Sequence, residues 1–144
     1  MRLSEKTLEL NFCSQFGQLL GCNVLWFGLT QKQEAEAGFD ACTRIGGKML
    51  IFQFKASSQR IGGVRRFRAP HDQMMKLKKI CQEKSSVYYA FPLIGTTDEL
   101  ANHPNIPKVT WLLDVFDLPA NAPRPLTKSG MHYIVQYLRQ FMPR

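Results

Sequence analysis

A chain of 144 residues has room for one domain with its own core and little room for a second, so residues 1–144 read as a single domain. A composition 44% hydrophobic and 11% aromatic excludes a disordered tail, and no apolar run approaches the roughly 18 residues that a membrane-spanning helix needs. Nineteen Lys and Arg against eleven Asp and Glu leave a net charge of +8, which favours polyanionic partners because each neutralised phosphate releases condensed counterions. The N-terminal residues carry Arg2, Glu5 and Lys6 and lack the apolar core of a signal peptide, so a cytoplasmic location without a membrane partner is expected. Cys13, Cys22, Cys42 and Cys81 include no close pair, and His71, His103 and His132 are equally scattered. That spacing excludes a finger or ribbon zinc site and leaves reduced, mostly buried thiols.

Ser4 reads as a helix N-cap. Leu8, Phe12, Phe16 and Leu19 then make one apolar stripe that Gly21 ends, which predicts a helix over residues 5–20. The β-prone run 23–30 predicts a strand, and the polar stretch 31–37, without a strong period, a loop. Residues 38–45 and 48–56 are strand-like and flank Gly46-Gly47, a signal for a two-residue hairpin turn. Segment 57–70 reads as a mobile or extended basic stretch carrying Arg60, Arg65, Arg66 and Arg68, with Phe67 among them.

Residues 72–84 form a helix by pattern, with Met74, Leu77, Ile80 and Cys81 inward and Lys76, Lys78 and Lys79 mostly outward. A buried-type strand over 86–94 follows, then a loop over 95–108 with a short helical turn at 97–102, and a strand over 109–118. Residues 119–126 hold three prolines and read as a loop, and 129–141 as a closing amphipathic helix. Trp26 and Trp111 belong to the core. The fold class is α/β: a central mixed sheet of about five strands with helices on both sides.

The hairpin is the informative segment. If Gly46-Gly47 is the turn, Ile45 pairs with Lys48 and Asp40 falls opposite Gln53. Alternation then places Asp40, Gln53 and Lys55 on one face, with Gly38, Cys42, Arg44, Met49 and Ile51. The other face, Phe39, Ala41, Thr43, Ile45, Leu50, Phe52, Phe54 and Ala56, is the core side. Asp40 and Lys55 could be an ordinary cross-strand salt bridge. A strand written IFQF and buried on both faces, however, gains little from Gln and Lys unless they face a site.

Glu9 on the first helix, GFDA at 38–41 and IFQFKAS at 51–57, in this order, resemble the restriction-endonuclease-like superfamily. These are the PD-(D/E)xK nucleases, among them Mrr-like enzymes and archaeal Holliday-junction resolvases. The resemblance covers roughly residues 5–95 and makes Gln53-Phe54-Lys55 a QxK variant of the last motif. It implies a phosphodiester-hydrolysing site, in which a divalent metal offsets developing charge and lowers the pKa of an attacking water. Mg²⁺ or Mn²⁺, wanting oxygen ligands, would take Asp40, Glu9 and the backbone carbonyl of Phe54, with Glu5 the rival of Glu9 one helical turn earlier. Lys55 would orient or polarise the water, and Gln53 would position water or metal as a neutral oxygen donor.

The expectation is a Mg²⁺-dependent endonuclease acting on DNA rather than RNA, with Glu9, Asp40, Gln53 and Lys55 as its site. Arg60, Arg65, Arg66, Arg68, Lys76 and Lys79 would hold phosphates, with Phe67 available for stacking or packing. A homodimer is expected by resemblance. Two alternatives stand beside it: a catalytically degenerate nuclease fold that binds nucleic acid, favoured by Gln53, and an interaction module with a partner protein in a defence or mobile-element system. Ser14, Ser57 and the histidines form no nucleophile–base set, which excludes a serine or cysteine hydrolase.

Overall fold

A computed structural model of the chain describes residues 1–28, 30–57, 59–61, 64–80, 85–118, 126–127 and 130–138. Its elements run α1 (Glu5–Leu20), β1 (Trp26–Gly28), α2 (Gln31–Ala37), β2 (Ala41–Ile45), β3 (Lys48–Phe54), β4 (Gln59–Ile61), β5 (Val64–Pro70) and α3 (His71–Ile80). There follow β6 (Val87–Pro92), α4 (Thr97–Asn102), β7 (Thr110–Asp114), β8 (Leu126–Thr127) and β9 (Gly130–Leu138). Five strands form a mixed sheet in the order β1-β2-β3-β6-β7, where β3 and β6 are parallel and the other pairs antiparallel. A second sheet has the order β4-β5-β9-β8.

The expected α/β class therefore holds. The mixed sheet is buried on both faces, which the IFQF wording of β3 requires. Phe52, Phe54 and Ala90 turn to α1, where Leu8, Phe12 and Phe16 of the expected stripe are buried and Leu19, at its end, is exposed. Ile51, Val87, Tyr89 and Phe91 turn to the opposite side, against Met74 and Leu77 of α3 and Phe67 and Ala69 of β5. Phe39, expected beside Ala41, packs instead against this second cluster, because it precedes the ladder and escapes its alternation.

Local chemistry explains most boundaries. Ser4 caps α1 by accepting from the Thr7 N–H at 3.1 Å, and Gly21, with φ of 69°, closes it. Gly46 and Gly47 both have positive φ, 57° and 79°, as a twist-matched two-residue hairpin demands. The register is the expected one, with Ile45↔Lys48 through Ala41↔Phe52. The short helical turn at Thr97–Asn102 also forms as expected. Among the described residues no helix is long and apolar enough to cross a membrane.

Two expectations need correcting, and a third resolves to one of its two forms. Residues 31–37 are a helix, not a loop: Thr30 and Gln33 make a reciprocal capping box that offsets the missing apolar period. Of the two forms expected for the basic stretch, mobile or extended, it takes the extended one, as antiparallel β4 and β5 paired from Gln59↔Arg66 to Ile61↔Val64. The C-terminal segment is the strand Gly130–Leu138, not a helix. It pairs with β5 from Val64↔Leu138 to Pro70↔His132, and Tyr133, Ile134, Val135 and Tyr137 suit a pleated strand better than their helical spacing suggested. The strand predicted over 23–30 shortens to Trp26–Gly28. The helix predicted over 72–84 runs His71–Ile80, residues 81–84 lying outside the described part, as do 129, 139–141 and the loop 119–125.

Phe52 is the centre of the α1 side, with ring centroids of Phe12, Phe16 and Trp26 at 5.5, 5.7 and 5.7 Å. Replacing it by Ala should therefore cost about 3–5 kcal/mol in urea or guanidinium denaturation, whereas exposed Phe27→Ala should change stability by less than about 0.5 kcal/mol.

Candidate active site

The site begins with a mismatch of strand lengths. β3 continues through Gln53 and Phe54, but β2 starts only at Ala41, opposite Phe52. The Asp40 N–H still donates to the Phe52 carbonyl at 3.1 Å, and there the ladder ends. The next amide facing that edge, Phe54 N–H, donates to the Asp40 side chain instead, at 2.9 Å on Oδ2. An unpaired backbone amide at this buried position would be costly, so the carboxylate replaces the absent strand.

Gly38 makes the approach possible. It closes α2 with φ of 80°, and a Cβ there would meet Lys76 Cβ at 3.3 Å and the Gln73 carbonyl at 3.5 Å on α3. Only glycine suits both demands.

Gln53, 4% exposed, donates through Nε2 to Asp40 Oδ2 at 3.0 Å and to the Phe54 carbonyl at 3.4 Å. The amide thus turns its hydrogens toward Asp40 and keeps its oxygen out of that bond. The assignment follows from the carboxylate, which can only accept when ionised. Gln53 also holds the carboxylate and the Phe54 carbonyl beside each other. Both donors to Asp40 address Oδ2, and among the described residues none addresses Oδ1.

Asp40 opens onto a cleft of about 690 Å³ between α1 and α2, lined also by Glu5, Lys6, Glu9 and Glu34. Burial raises the Asp40 pKa to about 6; the Phe54 amide opposes the rise, Glu9 and Glu34 add to it, and Lys55 again opposes it. Lys55 is half-buried and makes no ion pair with Asp40, so the ordinary cross-strand salt bridge is not formed. Glu9 is held by Lys6 at 3.0 Å, and that bond raises the Lys6 pKa. Glu5 reaches further, accepting from the Ala56 N–H at 3.4 Å. Both helix carboxylates therefore border the cleft.

Glu34 is the acidic residue that sequence reading passed over. It went unseen because 31–37 read as a loop, and only the Thr30–Gln33 capping box carries a helix signal there. The basic residues divide. Arg65 is buried, 7% exposed, and pairs with Glu99, so its guanidinium faces protein rather than an outer phosphate surface. Arg66 is half-buried, Arg68, Lys76 and Lys79 are exposed, and Arg60 is described by its strand pairing with Arg65 alone. Phe67 is fully buried against Phe91 at 4.6 Å, so of its two expected roles, stacking or packing, it takes packing. Cys13 and Cys42 are free thiols whose pKa burial raises, to about 12 for Cys13, so neither is a ready nucleophile.

Among the described residues no group of three or more Asp, Glu, His or Cys side chains is placed to hold a metal ion. A cation requiring an all-protein cage does not fit. One that keeps several waters and uses one or two carboxylates fits the Asp40 carboxylate beside the Phe54 carbonyl, facing an acid-lined cleft. The fold and site define an α/β protein with a hairpin-end carboxylate set over that cleft. No protein-family model, curated protein or solved structure matches the chain.

The raised Asp40 pKa has a consequence for stability. Below the unfolded pKa near 3.8 the carboxyl is neutral in both states; as pH rises through about 6, the unfolded chain ionises first and stability falls. Asn at this position keeps an acceptor for Phe54 and carries no charge. Asp40→Asn in metal-free protein should therefore gain about 1–2 kcal/mol above pH 6, after discounting for solvent screening, and almost nothing below pH 4. Urea denaturation at the two pH values checks this.

Proposed function

We propose that this chain is a metal-dependent nuclease that hydrolyses phosphodiester bonds of DNA, with Mg²⁺ or Mn²⁺ as cofactor. One observation carries the reading: Gln53 braces the Asp40 carboxylate against the Phe54 carbonyl at the mouth of an acid-lined cleft, one residue before Lys55. Asp40 and the Phe54 carbonyl would hold the cation, with Glu9 or Glu5 reaching it directly or through water. When bound, the cation supplies charge to offset the phosphate and to acidify an attacking water. Lys55 supplies a fixed positive charge for the developing negative charge, and the half-buried setting strengthens its effect.

Exposed Arg68, Lys76 and Lys79, with Arg66 beside them in sequence, would meet the DNA backbone. The homodimer and a partner protein belong to the same proposal. The purified protein should nick plasmid DNA with Mg²⁺ or Mn²⁺ and not with a chelator. Asp40→Ala and Lys55→Ala should each lower the rate by about 10²–10³-fold while DNA affinity changes little. Cleavage by both variants at the parental rate would remove the reading.

A second reading, a degenerate nuclease fold that binds nucleic acid without cleaving it, is favoured by the direction of Gln53: its amide hydrogens already satisfy Asp40 without a cation. Gln53→Glu separates the two. A carboxylate there repels Asp40 in the metal-free protein and attracts a cation. On the nuclease reading, calorimetric Mn²⁺ affinity should rise about 10-fold or more while metal-free stability drops. On the degenerate reading, neither the parent nor Gln53→Glu binds Mn²⁺, and DNA binding that weakens steeply with salt remains.

A further inference from the structure

The stretch from Lys55 to Ser57 leaves the mixed sheet, yet each of its residues is held. The Lys55 N–H donates to the Ala90 carbonyl at 3.0 Å, and the Ala56 N–H to Glu5 Oε1 at 3.4 Å. Ser57 is buried; its carbonyl accepts from Arg2 at 2.6 Å and its hydroxyl from Arg65 Nη1 at 3.5 Å. The Arg65 guanidinium pairs through Nη2 with Glu99, on α4. Glu99 in turn accepts from the Gly95 N–H at 3.2 Å and the Thr96 hydroxyl at 3.4 Å. Gly95 lies so close that a Cβ would meet Ser57 Oγ at 3.2 Å and Arg65 Nη1 at 3.5 Å. The N-terminal segment closes the group, with the Leu3 N–H on the Gly95 carbonyl at 2.8 Å.

A buried ion pair adds little net stability over apolar packing of the same volume, so its value here lies in fixing one arrangement. A guanidinium desolvated in this way does not contribute to a phosphate-binding surface. What it fixes is the far end of a three-residue span whose near end is the Asp40–Phe54 bond, and Lys55 is the first residue of that span. We propose that Arg65, paired with Glu99, is a positioning residue for Lys55, holding Ser57 against Gly95 and so fixing the backbone span from which Lys55 projects. The catalytic part of this inference rests on the nuclease reading.

The test uses the full chain carrying Arg65→Gln, Arg65→Lys, Ser57→Ala or Gly95→Ala. Three measurements are made: steady-state cleavage of a duplex oligonucleotide with Mg²⁺, affinity for the same DNA across a salt series, and amide hydrogen exchange without metal or DNA. Arg65→Gln should lower kcat about 10–100-fold and leave KM and DNA affinity within about twofold, with an unchanged salt slope. Exchange at the Lys55 and Ala56 amides should quicken by about tenfold. Arg65→Lys should recover part of both effects. Ser57→Ala and Gly95→Ala, which remove no charge, should show the same pattern more weakly, and they decide the matter if Arg65→Gln does not fold.

Weakened DNA binding with a salt slope reduced by about one would overturn the proposal in favour of a phosphate contact. Unchanged exchange in all the folded variants would overturn it as well. If the parent protein cleaves nothing with Mg²⁺ or Mn²⁺, the nuclease reading fails, and the exchange measurement still decides whether Arg65 positions Lys55.

Discussion

The bond from the Phe54 amide to the Asp40 carboxylate is the constraint on which the rest of the site depends. It exists because β3 outruns its antiparallel partner: β2 ends its pairing at Ala41, while β3 continues along β6 through Phe54↔Ala90. A central strand cannot leave a buried amide unpaired, so a side chain must take the place of the missing strand. Asp does this with a charge, and the same contact seats that charge between two hydrophobic layers. Gln53 then has a partner for its buried amide, and the Phe54 carbonyl is drawn to the same point.

Four carboxylates gather at one cleft, with Lys6 among them. Glu5, Glu9, Glu34 and Asp40 border one cleft in a chain of net charge +8, while Arg68, Lys76 and Lys79 are exposed elsewhere. Asp40 carries the effect of Glu9 and Glu34 on top of its own burial, and its proton affinity rises. The packing around the strand that carries Gln53 is apolar on the α1 side. The α1 face supplies that packing: Phe12 lies 5.5 Å from Phe52 and 5.2 Å from Phe54, holding the strand that carries Gln53.

Arg65 shows how burial changes the meaning of a residue. In the sequence it belongs to an arginine cluster with Arg66 and Arg68, and all three look alike. The alternation of β5 sends Arg65, Phe67 and Ala69 inward and leaves Arg68 exposed. The inward arginine then needs a carboxylate, and Glu99 of α4 supplies it across 34 positions of sequence.

What the sequence determined by itself was local or strictly periodic. The Ser4 cap and the Leu8–Phe12–Phe16 stripe define α1, and Gly46-Gly47 set the hairpin register that brings Asp40 to Gln53. These rest on short-range rules: a capping oxygen, a 3.6-residue stripe, and glycines that accept positive φ. The direction of the Gln53 amide, the place of Glu34 beside Asp40, the inward turn of Arg65 and the strand Gly130–Leu138 were decided only by tertiary structure. Each depends on a partner remote in the chain. β5 recruits Tyr133, Ile134 and Val135 into a strand because a ladder of backbone hydrogen bonds outweighs their helical spacing. Asp40, whose place beside Gln53 was legible in the hairpin register, owes its raised pKa first to burial that no local pattern records.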